Sequence, residues 1–424
     1  MKLPRESPAA KLAALAALCL AAYGPSLRIP LMEDDYPLLW EAQKYGAPSA
    51  LGVLLHFSAS RLRATSYWSM WQLWRLFHAN AWPYHVFSLL LHVGCVWAAF
   101  AVARMWPRMR PAAFWAAAFF AVAEGHQEAV MWFSSINELY VFLFGAASLA
   151  LWLAAARPGA KWGWNAASAA LFALALLSKE PAFAWLPLFL LADLDRWKRA
   201  LARLIPHAAL ALLALASVEA TRGNSFRFAD GSFSLAAPFW FTGPYNIVRV
   251  LGVCGALSLA ALFWRRAAGT ARSAALAVAW IGVALVPYSF LTYSRQIPSR
   301  QTYVASFGLA LLFGLAVSEL WRIGEGRWRR WAVVAAALVL LGNAAVLWTK
   351  KRAQFEARAQ PTEELIQLAR QTGGPIWVRC FPRTPYIAEQ AVHMAAGLPP
   401  STLIWSEAEA RRRKPAAEFC YPDH

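Results

Sequence analysis

Three consecutive carboxylates stand in the run Leu31-Met32-Glu33-Asp34-Asp35-Tyr36. Like charges at this spacing repel, so keeping them together calls for a cation, a hydrogen-bond donor or a reacting proton. General base catalysis uses such a group, with Asp34 or Asp35 taking a proton from an acceptor hydroxyl. The bland alternative is a solvated acidic turn that caps the helix after it. A second cluster, Glu124-Gly125-His126-Gln127-Glu128, alternates acid, His and acid. Its members suit a substrate contact, a second acid/base or a divalent metal, and equally a polar loop between short helices. In Ser178-Lys179-Glu180-Pro181 a Lys and a Glu sit between two apolar runs. The Lys can meet a phosphate as a point charge, or snorkel beside its own counter-ion. Arg249 falls inside an apolar stretch, and Arg295, Arg300 and Tyr303 flank the start of another. An arginine at membrane depth faces a cavity or a counter-ion, and such a set can grip a phosphate bidentately; an ion pair of Arg249 with Glu219 is the structural alternative. His85 and His92, seven apart on one helix face, read as hydrogen-bonded core histidines. No phosphate-cradling glycine loop, G-x-S-x-G or C-x-x-C occurs, which leaves soluble-nucleotide chemistry unsupported.

The elements that must hold these groups are membrane helices. The chain has 424 residues, 59% of them hydrophobic and 15% charged, with a mean hydropathy of +0.39; soluble domains carry about a quarter charged residues. Apolar runs near spanning length recur at 12–27, 82–103, 112–124, 138–156, 164–178, 182–194, 204–219, 239–263, 273–291, 302–320 and 331–349. The expected fold is therefore an all-α polytopic membrane protein of about eleven transmembrane helices. The net charge of +18 is mostly topological. Nineteen Lys and Arg fall on the segments 1–11, 104–111, 157–163, 195–203, 264–272 and 321–330, against five on the short loops of the other side. Positive residues mark the cytoplasmic face, so the N-terminus is expected inside and the C-terminus outside. That distribution leaves no nucleic-acid signature. A cleavable signal peptide at the N-terminal stretch is the competing reading of the first span. The acidic motifs fall on the outer side, with the first in a long outer loop over 28–81. The division is expected at 1–349 for the membrane domain and 350–424 for a small extracytoplasmic α/β domain: helix near 361–372, strand at 375–380, helix near 386–397, strand at 401–405. Cys380 and Cys420 share this tail and can pair in an oxidising compartment.

The order of these motifs resembles the polytopic GT-C glycosyltransferases, in particular the branch of the protein O-mannosyltransferases and the transmembrane TPR O-mannosyltransferases. The resemblance rests on the acidic pair after the first span, Trp82-Pro83-Tyr84-His85 with Leu90-Leu91-His92, and Glu124-Gly125-His126-Gln127-Glu128-Ala129-Val130. Leu176-Leu177-Ser178-Lys179-Glu180 and Arg300-Gln301-Thr302-Tyr303 complete it, so that it covers roughly residues 10–320. It implies a multi-pass inner-membrane enzyme that takes a sugar from a polyprenyl-phosphate donor and delivers it to an extracytoplasmic acceptor: protein, lipid or polysaccharide. Asp34 and Asp35 match the acidic motif, Asp34 being the expected base. Ser178, Lys179 and Glu180 match the family's Ser-Lys-Glu and Arg300 its later Arg, a set expected to bind substrate, with its basic groups holding the lipid phosphate. The family's Arg-Pro pair is here Arg63-Ala64, its Asn between the histidines is Ser88, and no TPR array follows. A transporter or flippase of a lipid-linked anion is the alternative; it would need the cations but no base. No cofactor is implied beyond a possible divalent metal.

Overall fold

The computed structural model describes residues 7–50, 62–220, 234, 236–264, 269–292, 296–323 and 327–421. Among them eight helices are long and apolar enough to cross a membrane, and three shorter apolar helices, Arg110–Val122, Gly163–Leu176 and Glu180–Ala192, complete the set of eleven expected runs. Two of the short ones, Arg110–Val122 and Glu180–Ala192, open with a Pro-containing 3₁₀ turn. Irregular backbone of this kind survives at membrane depth where other helices cover it.

The chain runs α1 (Pro8–Tyr23), α2 (Asp35–Tyr45), α3 (Ala64–Phe77), α4 (Ala81–Met105), α5 (Ala113–Val122), α6 (Ile136–Ala155), α7 (Gly163–Leu176) and α8 (Trp185–Ala192). It continues with α9 (Trp197–Ala220), α10 (Phe239–Trp264), α11 (Thr270–Leu285), α12 (Tyr303–Ile323) and α13 (Arg327–Val346). Among its described residues, the expected outer loop 28–81 contains two helices, α2 and α3, which pack on each other. α12 is the most buried span and packs against α5, α10, α11 and α13. Gly308 and Gly314 allow this: a Cβ at either would lie 2.5 Å from the Ala277 carbonyl or 2.6 Å from the Ala112 carbonyl. Close backbone approach at small residues is how membrane helices gain packing when apolar lipid offers no hydrophobic drive. α9 is the least buried span and turns Leu201, Ile205, Leu212 and Leu213 outward, as a lipid-facing surface requires.

Past α13, a π-helical turn at Leu347–Lys351 leads without a break into α14 (Arg352–Thr372). Gly373 in the left-handed conformation ends that helix, as helix-terminal glycines do. β1 (Ile376–Cys380), α15 (Pro385–Ala396), β2 (Leu403–Ile404), α16 (Glu407–Arg413) and β3 (Ala417–Cys420) follow. The sheet is parallel in the order β2-β1-β3, with α15 and α16 as the crossovers that parallel pairing needs. The sequence reading anticipates all but α16 and β3. In α16, Ser406 Oγ accepts the Glu409 N–H at 3.3 Å, half of a capping box. Cys380 and Cys420 pair across β1 and β3 as a disulfide. Leu365, Ile376, Val378, Val392 and Phe419 form a small hydrophobic cluster of their own, and α15 packs on α2.

Candidate functional site

The acidic loop leaves α1 through a 3₁₀ turn, Gly24–Arg28, and its three carboxylates have three different environments. Glu33 is buried and takes the left-handed conformation, φ 48°, which is uncommon for a residue with a Cβ. Arg358 of α14 grips it with two bonds, Nε to Oε1 at 3.1 Å and Nη2 to Oε2 at 2.6 Å. Arg383, between β1 and α15, donates to Oε1 from Nε and Nη2 at 2.9 and 2.7 Å. Burial pushes the Glu33 carboxyl up, but the two guanidinium groups outweigh it and hold it below the usual range. Asp35 is fully buried. Its Oδ2 accepts the Met32 N–H at 2.8 Å and its Oδ1 the Ser134 N–H at 2.7 Å. Burial raises it to about 8 against the pull of those two donors.

Asp34 lies between them and opens to solvent. Its side chain does not cap α2, and no hydrogen bond or ion pair to its carboxylate is formed among the described residues. Limited hydration in the cleft and the Glu33 charge raise it, while Arg300, Arg358 and Arg383 pull it down. The structure therefore separates the roles within the triplet: Asp35 holds backbone, Glu33 anchors the loop, and Asp34 presents a free carboxylate. A catalytic carboxyl must reach the proton it takes. The expectation of Asp35 as a catalytic alternative meets a side chain with no exposed surface.

The second acidic cluster lies on short helical turns, Glu124–His126 and Gln127–Met131. Glu128 Oε2 accepts the Arg300 backbone N–H at 3.1 Å and lies 3.5 Å from its Nη1. Arg358 approaches the same carboxylate at 4.0 Å. Both guanidinium groups rest against the indole of Trp132, 4.9 and 4.6 Å from the ring centre, a contact that holds a cation without neutralising it. Glu124 is 3.6 Å from Lys351, and its N–H is accepted by Asn343 Oδ1 at 2.9 Å. His126 departs from the expectation. It is buried, bonds Ser306 Oγ at 2.6 Å and packs against Phe120 and Tyr303. The three side chains of the cluster diverge, and among the described residues no group of three or more His, Cys, Asp or Glu is arranged to hold a metal ion. Tyr303 is likewise a core residue, hydrogen-bonded to His92 at 2.7 Å.

Glu124, Glu128, Arg249, Asn343 and Lys351 line a cavity of about 690 Å³ whose remaining wall includes Phe119, Val250, Val253 and Leu309. α10 breaks where it borders this space, with Gly252 at φ 49° and ψ −157°. Only glycine takes such a conformation readily, and a Cβ there would meet nothing within 4 Å. Arg249, one turn earlier, donates to the Ile297 carbonyl. Lys179 and Glu180 do not line the cavity. Lys179 pairs with the buried Glu138 at 2.6 Å, Tyr288 bonds the other Glu138 oxygen at 2.7 Å, and Glu180 lies 3.7 Å from Arg63. Arg295 lies outside the described residues. Sequence reasoning passed over Arg358, Arg383, Trp132 and Lys351: the cations counted only as tail charges, and no local motif connects them to residue 33.

The bundle has the GT-C fold. It is similar to ArnT from Cupriavidus metallidurans bound to undecaprenyl phosphate, with a TM-score of 0.54 at 14% identity over 97% of this chain and 90% of that one. The apo form of the same protein gives 0.54 at 16% identity, over 95% and 88%. AglB, the oligosaccharyltransferase of Archaeoglobus fulgidus, in complex with an inhibitory peptide and a dolichol-phosphate, gives 0.53 at 12% identity over 95% of this chain and 64% of that longer one. At such identities the likeness is one of fold. No family model matches the chain, and no curated protein matches it in sequence.

Proposed function

We propose that this protein is a membrane glycosyltransferase that moves a sugar, a hexose on the motif order, from a polyprenyl-phosphate donor to an extracytoplasmic acceptor. The observation that carries the reading is the free carboxylate of Asp34 beside the Arg300–Glu128–Arg358 cluster, since Glu128 belongs both to that cluster and to the cavity. A cavity with cations in one part and apolar walls in another suits a lipid phosphate and the start of its chain. In the proposed reaction Asp34 takes the proton of the acceptor hydroxyl as its oxygen bonds the sugar C1. The bond from C1 to the phosphate oxygen breaks, and polyprenyl phosphate leaves with the electron pair. Arg249, Arg300 and Lys351 stabilise the charge that develops on it. Lys179, in its buried pair with Glu138, braces this arrangement.

The same reading places the protein in the inner membrane with its N-terminus cytoplasmic. The basic loops support that orientation, and so does the Cys380–Cys420 disulfide, because such bonds persist in oxidising compartments. It takes 1–349 as the membrane domain and 350–424 as the extracytoplasmic one, supported by the separate hydrophobic cluster of the tail. Purified protein is to be incubated with undecaprenyl-phosphate-linked hexoses and envelope acceptors, and the products read by mass spectrometry. Transfer by the wild type, lowered by about 10²–10⁴-fold in Asp34→Asn, is the expected result. Equal transfer by Asp34→Asn overturns the assignment of the base, and movement of donor across a bilayer without sugar transfer overturns the enzyme.

A further inference from the structure

The expected partition leaves the C-terminal segment as a small cap, yet two of its arginines reach the acidic loop. Glu33 is bound from α14 by Arg358 and from the β1–α15 connection by Arg383, four hydrogen bonds on one buried carboxylate. Glu33 also carries the left-handed backbone that immediately precedes Asp34. A strained residue at such a place persists only where its surroundings over-determine it. Charge-assisted, two-pronged bonds supply geometry as well as energy. Arg358 is further fixed by Trp132 and Phe355, whose rings lie 4.6 and 4.9 Å from its guanidinium carbon.

We propose that Arg358 and Arg383 are positioning residues for Asp34: through Glu33 they lock the turn that aims its carboxylate, and their charge offsets that of the neighbouring acids. The proposal rests on the reading of Asp34 as the base. The charged groups that bear on Asp34 are Glu33 from its own loop, Arg300 from the turn before α12, and Arg358 and Arg383 from the C-terminal segment; Asp35, beside it, keeps its proton until about pH 8. Glu128 stands behind the two nearer arginines. The C-terminal segment is on this account a working part of the site, and removing either arginine frees the loop and makes Asp34 harder to ionise.

The test uses the full-length protein in lipid nanodiscs without substrate. Amide exchange is followed over residues 29–38. The Asp34 carboxyl is titrated by infrared spectroscopy with [4-¹³C]aspartate, Asp34→Asn identifying its band among the six aspartates of the chain. Arg358→Gln and Arg383→Gln are each expected to speed exchange in the loop by about tenfold or more, the factor that loss of a charge-assisted hydrogen bond corresponds to. Each is also expected to move the Asp34 midpoint upward. Arg358→Lys keeps the charge and loses the fork, so the loop loosens while the midpoint stays near that of the wild type. Arg383 is the more exposed of the two, and its variant carries the test if Arg358→Gln does not fold. Unchanged exchange in both variants overturns the proposal. So does a loosened loop with an unmoved midpoint in both Gln variants, which reduces the arginines to braces. If both readouts move but the wild type transfers no sugar, the glycosyltransferase reading fails and the hold on Asp34 stands.

Discussion

Replacing Asp35 by Asn separates holding from catalysing within one dipeptide. In the wild type each carboxylate oxygen receives one backbone N–H, from Met32 and from Ser134, at 2.8 and 2.7 Å in a site with no exposed surface. An amide offers one acceptor and turns its NH₂ toward the other donor. One buried N–H is then left without a partner, a loss of about 1–3 kcal/mol. Asp35→Ala orphans both and should cost roughly twice that. The penalty depends on pH. A carboxyl held at about 8 in the folded chain and near 4 in the unfolded one binds its proton more tightly when folded. Its contribution is therefore complete below about pH 4 and is lost progressively as pH rises toward 8. Asn has no such slope, so the gap between wild type and variant narrows with rising pH. Unfolding of both proteins in mixed micelles, followed by tryptophan fluorescence from pH 4 to 8, measures it. Asp35→Asn should keep measurable transfer wherever it is folded. A variant as stable as the wild type at every pH, yet as inactive as Asp34→Asn, would refute the argument and make Asp35 the reacting group.

Asp34→Asn should leave insertion and stability unchanged and lower transfer by about 10²–10⁴-fold, the usual contribution of a general base. Arg249→Gln and Lys351→Gln should weaken binding of undecaprenyl phosphate, measured by tryptophan quenching, while Lys11→Gln in α1 leaves it unaltered. Glu138→Gln removes the carboxylate from the buried Lys179–Glu138 pair, a change that costs about 3–5 kcal/mol in a protein interior; loss of native protein on size exclusion is the readout, and a variant of wild-type stability would show the pair to be dispensable. Cys380→Ser with Cys420→Ser should cost about 2–4 kcal/mol, seen as faster proteolysis of the segment after Gly373 and absent if the sheet holds without its covalent tie.

The bundle was legible because a spanning helix satisfies its own backbone and declares itself by length and apolarity alone. Even the broken runs near Glu124 and Lys179 could be placed, since Pro and charge mark where an apolar stretch stops. The acidic triplet could be read as a site for the same local reason: three adjacent carboxylates need compensation. The division of labour inside it could not, because each role is assigned by a residue far along the chain. Ser134 lies 99 positions from Asp35, and Arg358 lies 325 positions from Glu33. His126 shows the reverse. Its spacing to Glu124 and Glu128 suggested a ligand set, but a 3₁₀ turn followed by a short α-helix rotates the imidazole into the aromatic core while its neighbours face cations. Spacing predicts a shared face only where the backbone keeps one period, and this segment does not. The same logic applies to the cations. Arg300 is visible from a motif, whereas Arg358 is one of eleven Lys and Arg after position 349 and has no motif around it. A charge on a surface segment has no address until the fold docks that segment, and α14 docks here because it continues α13 directly through the turn at Leu347–Lys351. That continuity carries Arg358 to Trp132 and Glu33, and it makes the end of the last membrane helix the element on which the geometry of Asp34 depends.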